Sequence, residues 1–234
     1  MALRAVIAVA RNDRVQALAD ARRAVTVSPR SAAAKIALSY ALQASFELEE
    51  ARDVLLQAVE QQPDDALAQA RLAESWLTLG YRDRALEAAR RAATLAPDLG
   101  WTQIILGYAA LARMNTTDAK AAFERAIALE SHNPLAHLGL GLATIREGDL
   151  GTGRRQMEIA IGLDPTNPIV RSYLGKAYFE ERRDEPAAEQ LAFAKQADRR
   201  DPTPWVYDAI RKQTENRPVE ALKDLARIIH QRSG

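Results

Sequence analysis

Small residues return every 34 positions along this chain, and no other feature restricts its fold as much. One ladder runs Ala17, Ala51, Ala85, Ala119, Gly153, Ala187 and Ala221. A second runs Ala24, Ala58, Ala92, Ala126, Ala160 and Ala194 and ends at Ile228. A third reads Ala5, Ser39, Ala73, Gly107, Gly141, Gly175 and Ala209. Three ladders in one phase, with no insertion between them, require a repeat array rather than a domain built on one core. Arrays of this kind present surface to partners, so binding is expected before catalysis.

With each unit numbered in slots from 1 to 34, and one unit running from Ala32 to Asp65, two helices emerge. Apolar residues fall at helical spacing over slots 2 to 14 and again over slots 18 to 31, and strand-like alternation is absent. A short polar turn separates the two helices. Gly80 and Gly148 hold slot 15 there, where a helix end favours a left-handed residue. Pro29, Pro63, Pro97 and Pro165 share slot 32 and stop the second helix, because proline lacks an amide hydrogen and clashes one turn back. Ser131, Arg199 and Ser233 replace that proline in other units. The small slots let helix backbones approach closely, and a larger side chain there would cost roughly 1–3 kcal/mol by overpacking. Larger apolar residues fill the space between, such as Leu38, Leu72, Leu106, Leu140 and Leu174 in slot 7. Arg4 and Asp208 break that slot in the first and last units. Gly153, in mid-helix, should cost about 1 kcal/mol relative to alanine.

These residues resemble the tetratricopeptide repeat family. Its pattern shows in Leu174-Gly175-Lys176-Ala177-Tyr178 followed by Ala187, Leu191 and Ala194, and in Trp205 to Ala209 followed by Ala221 and Leu225. The resemblance implies an all-α, right-handed superhelical solenoid of helix-turn-helix units. One continuous array is expected over residues 1–234: a partial unit 1–31, then units 32–65, 66–99, 100–133, 134–167, 168–201 and 202–234. The chain begins inside one unit and stops inside another, as a fragment of a longer array would. One subclass of the family grips chaperone tails with Lys and Asn in slots 5 and 9. Those slots here hold Ile36 and Tyr40, Ala70 and Glu74, and Ile104 and Tyr108, so that clamp is not expected. The segment Asp201 to Leu225 resembles part of large, envelope-associated bacterial members of the family. Heavy use of Ala and Arg over Lys fits a GC-rich bacterial source, with the periplasm or envelope favoured over the cytoplasm.

Composition narrows the function. The 32 basic and 31 acidic residues nearly cancel, whereas a nucleic-acid face shows as a basic excess. The pairs Arg22-Arg23, Arg90-Arg91 and Arg154-Arg155 fall on second helices and read as solvated surface. There is no cysteine, which excludes disulfides and thiolate chemistry. No run approaches the ~20 apolar residues that span a membrane. Gly139, Gly141, Gly148, Gly151 and Gly153 occupy repeat slots and follow no strand, unlike a phosphate loop. His132, His137 and His230 have no ligand-type partner three or four residues on, and His137 reads as a packing residue. No catalytic constellation, metal site or cofactor site is expected, and the chain does not read as an enzyme.

The first helices should line the concave face, through slots 2, 5, 9, 12 and 13. The expected groove residues are Tyr40, Leu77, Trp101, Ile104, Tyr108, Leu111, Leu138, Leu142, Ile145, Lys176 and Phe179. Ile36, Leu67, Ile169, Val206 and Ile210 share the same slots, and Glu74, Arg146 and Glu180 would set polarity along them. A broad apolar surface marks an interaction site, and Trp and Tyr commonly anchor one. The expected partner is a protein or peptide with an apolar segment, such as an amphipathic helix. Two alternatives stand beside it: slots 5 and 9 are used in packing first helix on first helix, or the apolar face is covered by further repeats or a second copy, making the chain an oligomerisation element.

Overall fold

Each unit of this chain builds the same hairpin, and the repeat positions explain where its helices start and stop. The computed structural model describes residues 1–199 and 201–232. Ser233, and the side chain of His230, lie outside the described residues. Fourteen helices are found among the described residues. They fall into two compact units, the first covering Met1–Leu129 and the second beginning at Glu130. The first contains α1 (Ala2–Ala10), α2 (Arg14–Val27), α3 (Ala32–Ala44), α4 (Leu48–Gln61), α5 (Ala66–Thr78), α6 (Arg82–Leu95), α7 (Gly100–Ala112) and α8 (Thr116–Leu129). The second contains α9 (Pro134–Arg146), α10 (Leu150–Leu163), α11 (Pro168–Glu180), α12 (Asp184–Ala197), α13 (Thr203–Thr214) and α14 (Pro218–Arg232).

Most helices run one residue earlier than apolar spacing alone indicates: slots 1 to 13 and 17 to 30, rather than 2 to 14 and 18 to 31. Backbone chemistry accounts for the shift. Ser31, Asp65, Asn133 and Asn167 in slot 34 are N-caps whose side chains accept from amides at the helix start, so slot 1 is already helical. Slot 31 leaves the helical region because the residue before a proline avoids it; Ser28, Gln62 and Ala96 all have φ near -137. Asp198 takes φ -136 without a following proline, so the joint keeps its shape where Arg199 stands in slot 32.

Slot 15 is left-handed in every turn. Gly80 and Gly148 are joined there by Asn12, Phe46, Met114, Arg182 and Asn216, with φ between 58 and 63 for the five non-glycines. The amide of slot 16 then reaches back to the carbonyl of slot 11, as from Tyr81 to Trp76 and from Arg183 to Tyr178, each at 2.9 Å. This satisfies carbonyls that the helix end would otherwise leave unpaired.

The small ladders lie in the core. Ala17, Ala85, Ala119 and Ala187 are fully buried, as are Ala92, Ala126, Ala160 and Ala194. Gly141 and Gly153 meet across α9 and α10: a Cβ on either would come 2.6 Å from the other's carbonyl oxygen. Gly153 is therefore a requirement of the closest backbone approach, which explains the loss of helix propensity. In the first unit, α2 packs on α3, α4 on α5 and α6 on α7; in the second, α10 packs on α11 and α12 on α13. First helices also touch one another, α1 with α3, α3 with α5 and α5 with α7, and separately α9 with α11 and α11 with α13.

Candidate partner-binding surface

In the first unit α3 and α5 are tied together by polar side chains. Arg71 is buried on α5, in a slot held by Ala37, Ile105 and Gly139 elsewhere. Its guanidinium lies 3.7 Å from the centre of the Tyr40 ring and donates to Ser39 Oγ at 3.1 Å and to Gln43. It also forms an ion pair with Glu74 at 2.6 Å. Burial pushes the Tyr40 hydroxyl above its ordinary pKa, against the pull of Arg71, while Glu74 raises it further. Tyr40 and Glu74 thus belong to a closed lattice across α3 and α5. Leu77 packs against two core clusters, and Trp101 against Ala70, Ala73, Ile105 and Ala109. Tyr108 meets Phe123 edge to face, with centroids 5.0 Å apart.

Burial corrects the expectation of an open groove at three positions. Ile104 is 0% exposed, Leu138 1% and Leu111 6%, so none offers a side-chain surface to a partner. Leu138 is part of the core formed with Met157, Ala160, Val170 and Leu174. A slot that points to the concave side of a helix is also the slot nearest the next first helix, and there packing wins.

The second unit is more open. Leu142 and Ile145 on α9 are partly buried against the core, and Phe179 on α11 is partly buried. Lys176, one turn away, is paired with Glu180. Ile169 on α11 is 48% exposed, and Val206 and Ile210 on α13 are 37% and 46% exposed. Tyr173 and Tyr207, in equivalent slots of α11 and α13, meet at 6.0 Å. Burial first, and then the Tyr173 hydroxyl, drive the Tyr207 phenol well above its usual pKa.

Slot 4 has a role that sequence reasoning missed. Gln69 donates to the Pro63 carbonyl, Gln103 to Pro97, and Arg171 to Pro165, at 3.1, 3.1 and 2.8 Å. His137 does the same with the Ser131 carbonyl at 3.0 Å, while its other ring nitrogen faces Gln156. The slot therefore clips a first helix to the turn before it. The signal was in the sequence as a polar residue six positions after slot 32. Arg91 and Arg125 clasp the same turns from second helices, through Asp64 and Asp98. Arg91 and Arg154 are therefore structural ties rather than mere solvated charge, Arg154 through Glu158 and Glu181.

In the last units Asp208 does not face solvent as a polar cap would. It is buried, and accepts from Lys195 at 2.5 Å and Arg211 at 2.9 Å, with Lys212 at 3.0 Å; Asp224 binds both lysines. Burial opposes the Asp208 charge, but these cations hold its carboxyl far below the usual range. Lys195 also lies 4.3 Å from the centre of the Trp205 ring. No group of side chains suited to a metal ion occurs among the described residues, and no helix there is long and apolar enough to cross a membrane.

Comparison with known proteins places this architecture. Residues 106–168 match a family model described as tetratricopeptide repeat. No curated protein matches the chain. Among solved structures, the chain is similar to a chain of the APC/C hetero-tetramer Cut9–Hcn1, with a TM-score of 0.83 at 18% identity over 98% of this chain and 46% of that one. A tetratricopeptide repeat protein from Parabacteroides merdae matches with a TM-score of 0.73 at 16% identity, over 97% of this chain and 90% of that one. TTC0263, a tetratricopeptide repeat protein of Thermus thermophilus, matches with a TM-score of 0.68 at 21% identity, over 84% and 100%. The chain thus spans less than half of the first of these structures and nearly all of the other two. At these identities the likeness is one of fold: residues 106–168 match the tetratricopeptide repeat model, and the chain as a whole shares the fold of tetratricopeptide repeat proteins.

Proposed function

We propose that this chain is a protein-interaction scaffold that receives an apolar peptide segment, most simply one face of an amphipathic helix, along the first helices of its second unit. The observation that carries this reading is the set of exposed apolar side chains Ile169, Val206 and Ile210 on adjacent first helices, beside the partly buried Leu142, Ile145 and Phe179. Apolar surface at neighbouring positions of neighbouring helices is what a helix-in-groove partner requires. The Lys176–Glu180 pair supplies a polar edge. Trp101 and Tyr108 are the corresponding candidates in the first unit. The similar chain from Cut9–Hcn1 belongs to a hetero-tetramer, which supports a role within a larger assembly, here a bacterial assembly or export protein.

The test is selection from a displayed library of amphipathic helical peptides on the wild type, followed by binding to a folded Val206→Asp, Ile210→Asp variant. Apolar-faced peptides should be enriched and should bind the variant more than about tenfold more weakly. Equal binding to both proteins, or no enrichment, rejects the reading.

A second reading has its own observation. Slot 24 is buried at Leu55, Phe123, Met157 and Leu191, yet Leu225 on α14 is 39% exposed, beside exposed Val219 and Leu222. In this reading α14 accepts a further first helix, from additional repeats or from a second copy.

A further inference from the structure

Between α4 and α6 of the first unit runs a furrow of about 490 Å³, with α5 as its floor. Trp76 and Leu72 on α5 meet Leu56 from α4 and Arg84 and Glu87 from α6. The Arg84 guanidinium lies 4.9 Å from the Trp76 ring centre and 5.6 Å from that of Tyr81, and the two rings pack edge to face at 5.1 Å. Arg52 approaches Trp76 as well, at 5.6 Å, and is paired with Asp53. Among the described residues, Arg84 has neither an ion pair nor a hydrogen bond. A guanidinium held by ring faces keeps its N–H edges aimed outward, in the arrangement that binds a carboxylate through two parallel bonds.

The repeat supplies a reference for what is missing. In the second unit, Tyr178 occupies the slot of Trp76 and Arg154 the slot of Arg52. There too two arginines approach the ring, Arg183 at 4.6 Å and Arg154 at 5.7 Å. That site is closed by its own carboxylates. Glu158 takes Arg154 at 2.5 Å and the Tyr178 hydroxyl at 2.7 Å, and Glu181 takes Arg154 at 2.8 Å. In the Trp76 unit the slots of Glu158 and Glu181 hold Leu56 and Leu79. The aromatic–arginine stack is retained and apolar side chains stand in those two slots; Arg52 keeps a carboxylate in Asp53, whereas Arg84, in the slot of Pro186, has no ion-pair partner among the described residues.

We infer that the Trp76–Arg84 furrow is a docking site for an acidic peptide segment, in which one Asp or Glu side chain meets Arg84 and an adjacent apolar side chain lies on the exposed Leu56. Glu87, three residues beyond Arg84, receives the backbone N–H groups of the same segment. Arg91 contributes no charge to the ligand, since Asp64 already occupies it. The site is separate from the first-helix surface of the second unit, so either can fail without the other.

The experiment follows the indole N–H resonance of Trp76, assigned with Trp76→Phe, as a capped Leu-Glu-Leu-Glu-Leu peptide is added. A saturable shift is expected. It should weaken at least about tenfold with the Gln-for-Glu peptide and in Arg84→Gln, the loss that follows removal of one charged hydrogen-bonded partner. Arg82→Gln, an equal charge change on the exposed neighbour, should leave the titration unaltered. No shift at Trp76, an equal response to the Gln peptide, or equal weakening in Arg82→Gln overturns the inference.

Discussion

At slot 15 the backbone demands a left-handed residue from whatever side chain the sequence provides. Phe46, Met114 and Arg182 adopt φ of 60 to 63, a region that costs an L-residue about 1–2 kcal/mol. Met114 is 66% exposed, so its side chain returns little packing energy. Met114→Gly should therefore raise stability by about 0.5–1 kcal/mol, after allowance for the greater entropy of an unfolded glycine. Denaturant midpoints will show it, and Gly80→Ala should move the opposite way; a destabilised Met114→Gly would mean the turn is held by that side chain. Gly80 and Gly148, and less strongly Asn12 and Asn216, announced this conformation in the sequence. Phe, Met and Arg carry no left-handed preference, so the other turns were legible only through the 34-residue register.

Among the helices, the last three differ most from the repeat. Where slot 7 of α3, α5, α7, α9 and α11 holds leucine, α13 carries Asp208, and the joint of α12, α13 and α14 is an ionic cluster with Lys195, Arg211, Lys212 and Asp224. Burial alone would lower the pKa of Lys212, but the hydrogen bonds it donates to Asp224 and Asp208 reverse that and raise it. Removing one member of a buried ion network strands the others and typically costs about 3–5 kcal/mol. Asp208→Asn should fall near the lower end, because Asp224 still answers the lysines. The acid dependence has a definite sign. Folded Asp208 titrates below the ~3.9 of an unfolded aspartate, so its contribution is complete above about pH 4 and is lost as pH falls through the folded value. Hydrogen exchange in α13 and α14 should accelerate below pH 4, and Asp208→Asn should flatten that slope; an unchanged slope would remove Asp208 as its origin. The sequence flagged Asp208 as a broken slot. It did not reveal the cluster, because Lys195 and Asp224 reach it from two other helices.

For the molecule as a whole, the second reading makes its own prediction. α14 exposes Val219, Leu222 and Leu225, and α1 exposes Leu3, Val6 and Ile7. Since α2, α4, α6, α10 and α12 each carry the next first helix, α1 of one copy would sit on α14 of another. Such a head-to-tail contact is heterologous, so it builds rings or open chains of copies rather than a two-fold dimer. Sedimentation should then show a mass that rises with concentration, and Leu222→Glu with Leu225→Glu should hold the chain monomeric. A mass independent of concentration dismisses self-association through these faces. By itself the sequence determined the hairpin, its 34-residue period, its proline stops and its small-residue contacts, because these follow from local backbone chemistry repeated in register. Which apolar residues remain reachable was decided by tertiary structure alone. Ile104 and Leu138 share slot 5 with the exposed Val206, and Leu111 shares slot 12 with the partly buried Leu77, yet all three are buried, because exposure depends on the neighbouring helix that a slot faces. The pairing of Arg71 with Tyr40, and the lack of an ion pair to Arg84, were equally beyond the sequence, since each is decided by how side chains on neighbouring helices meet.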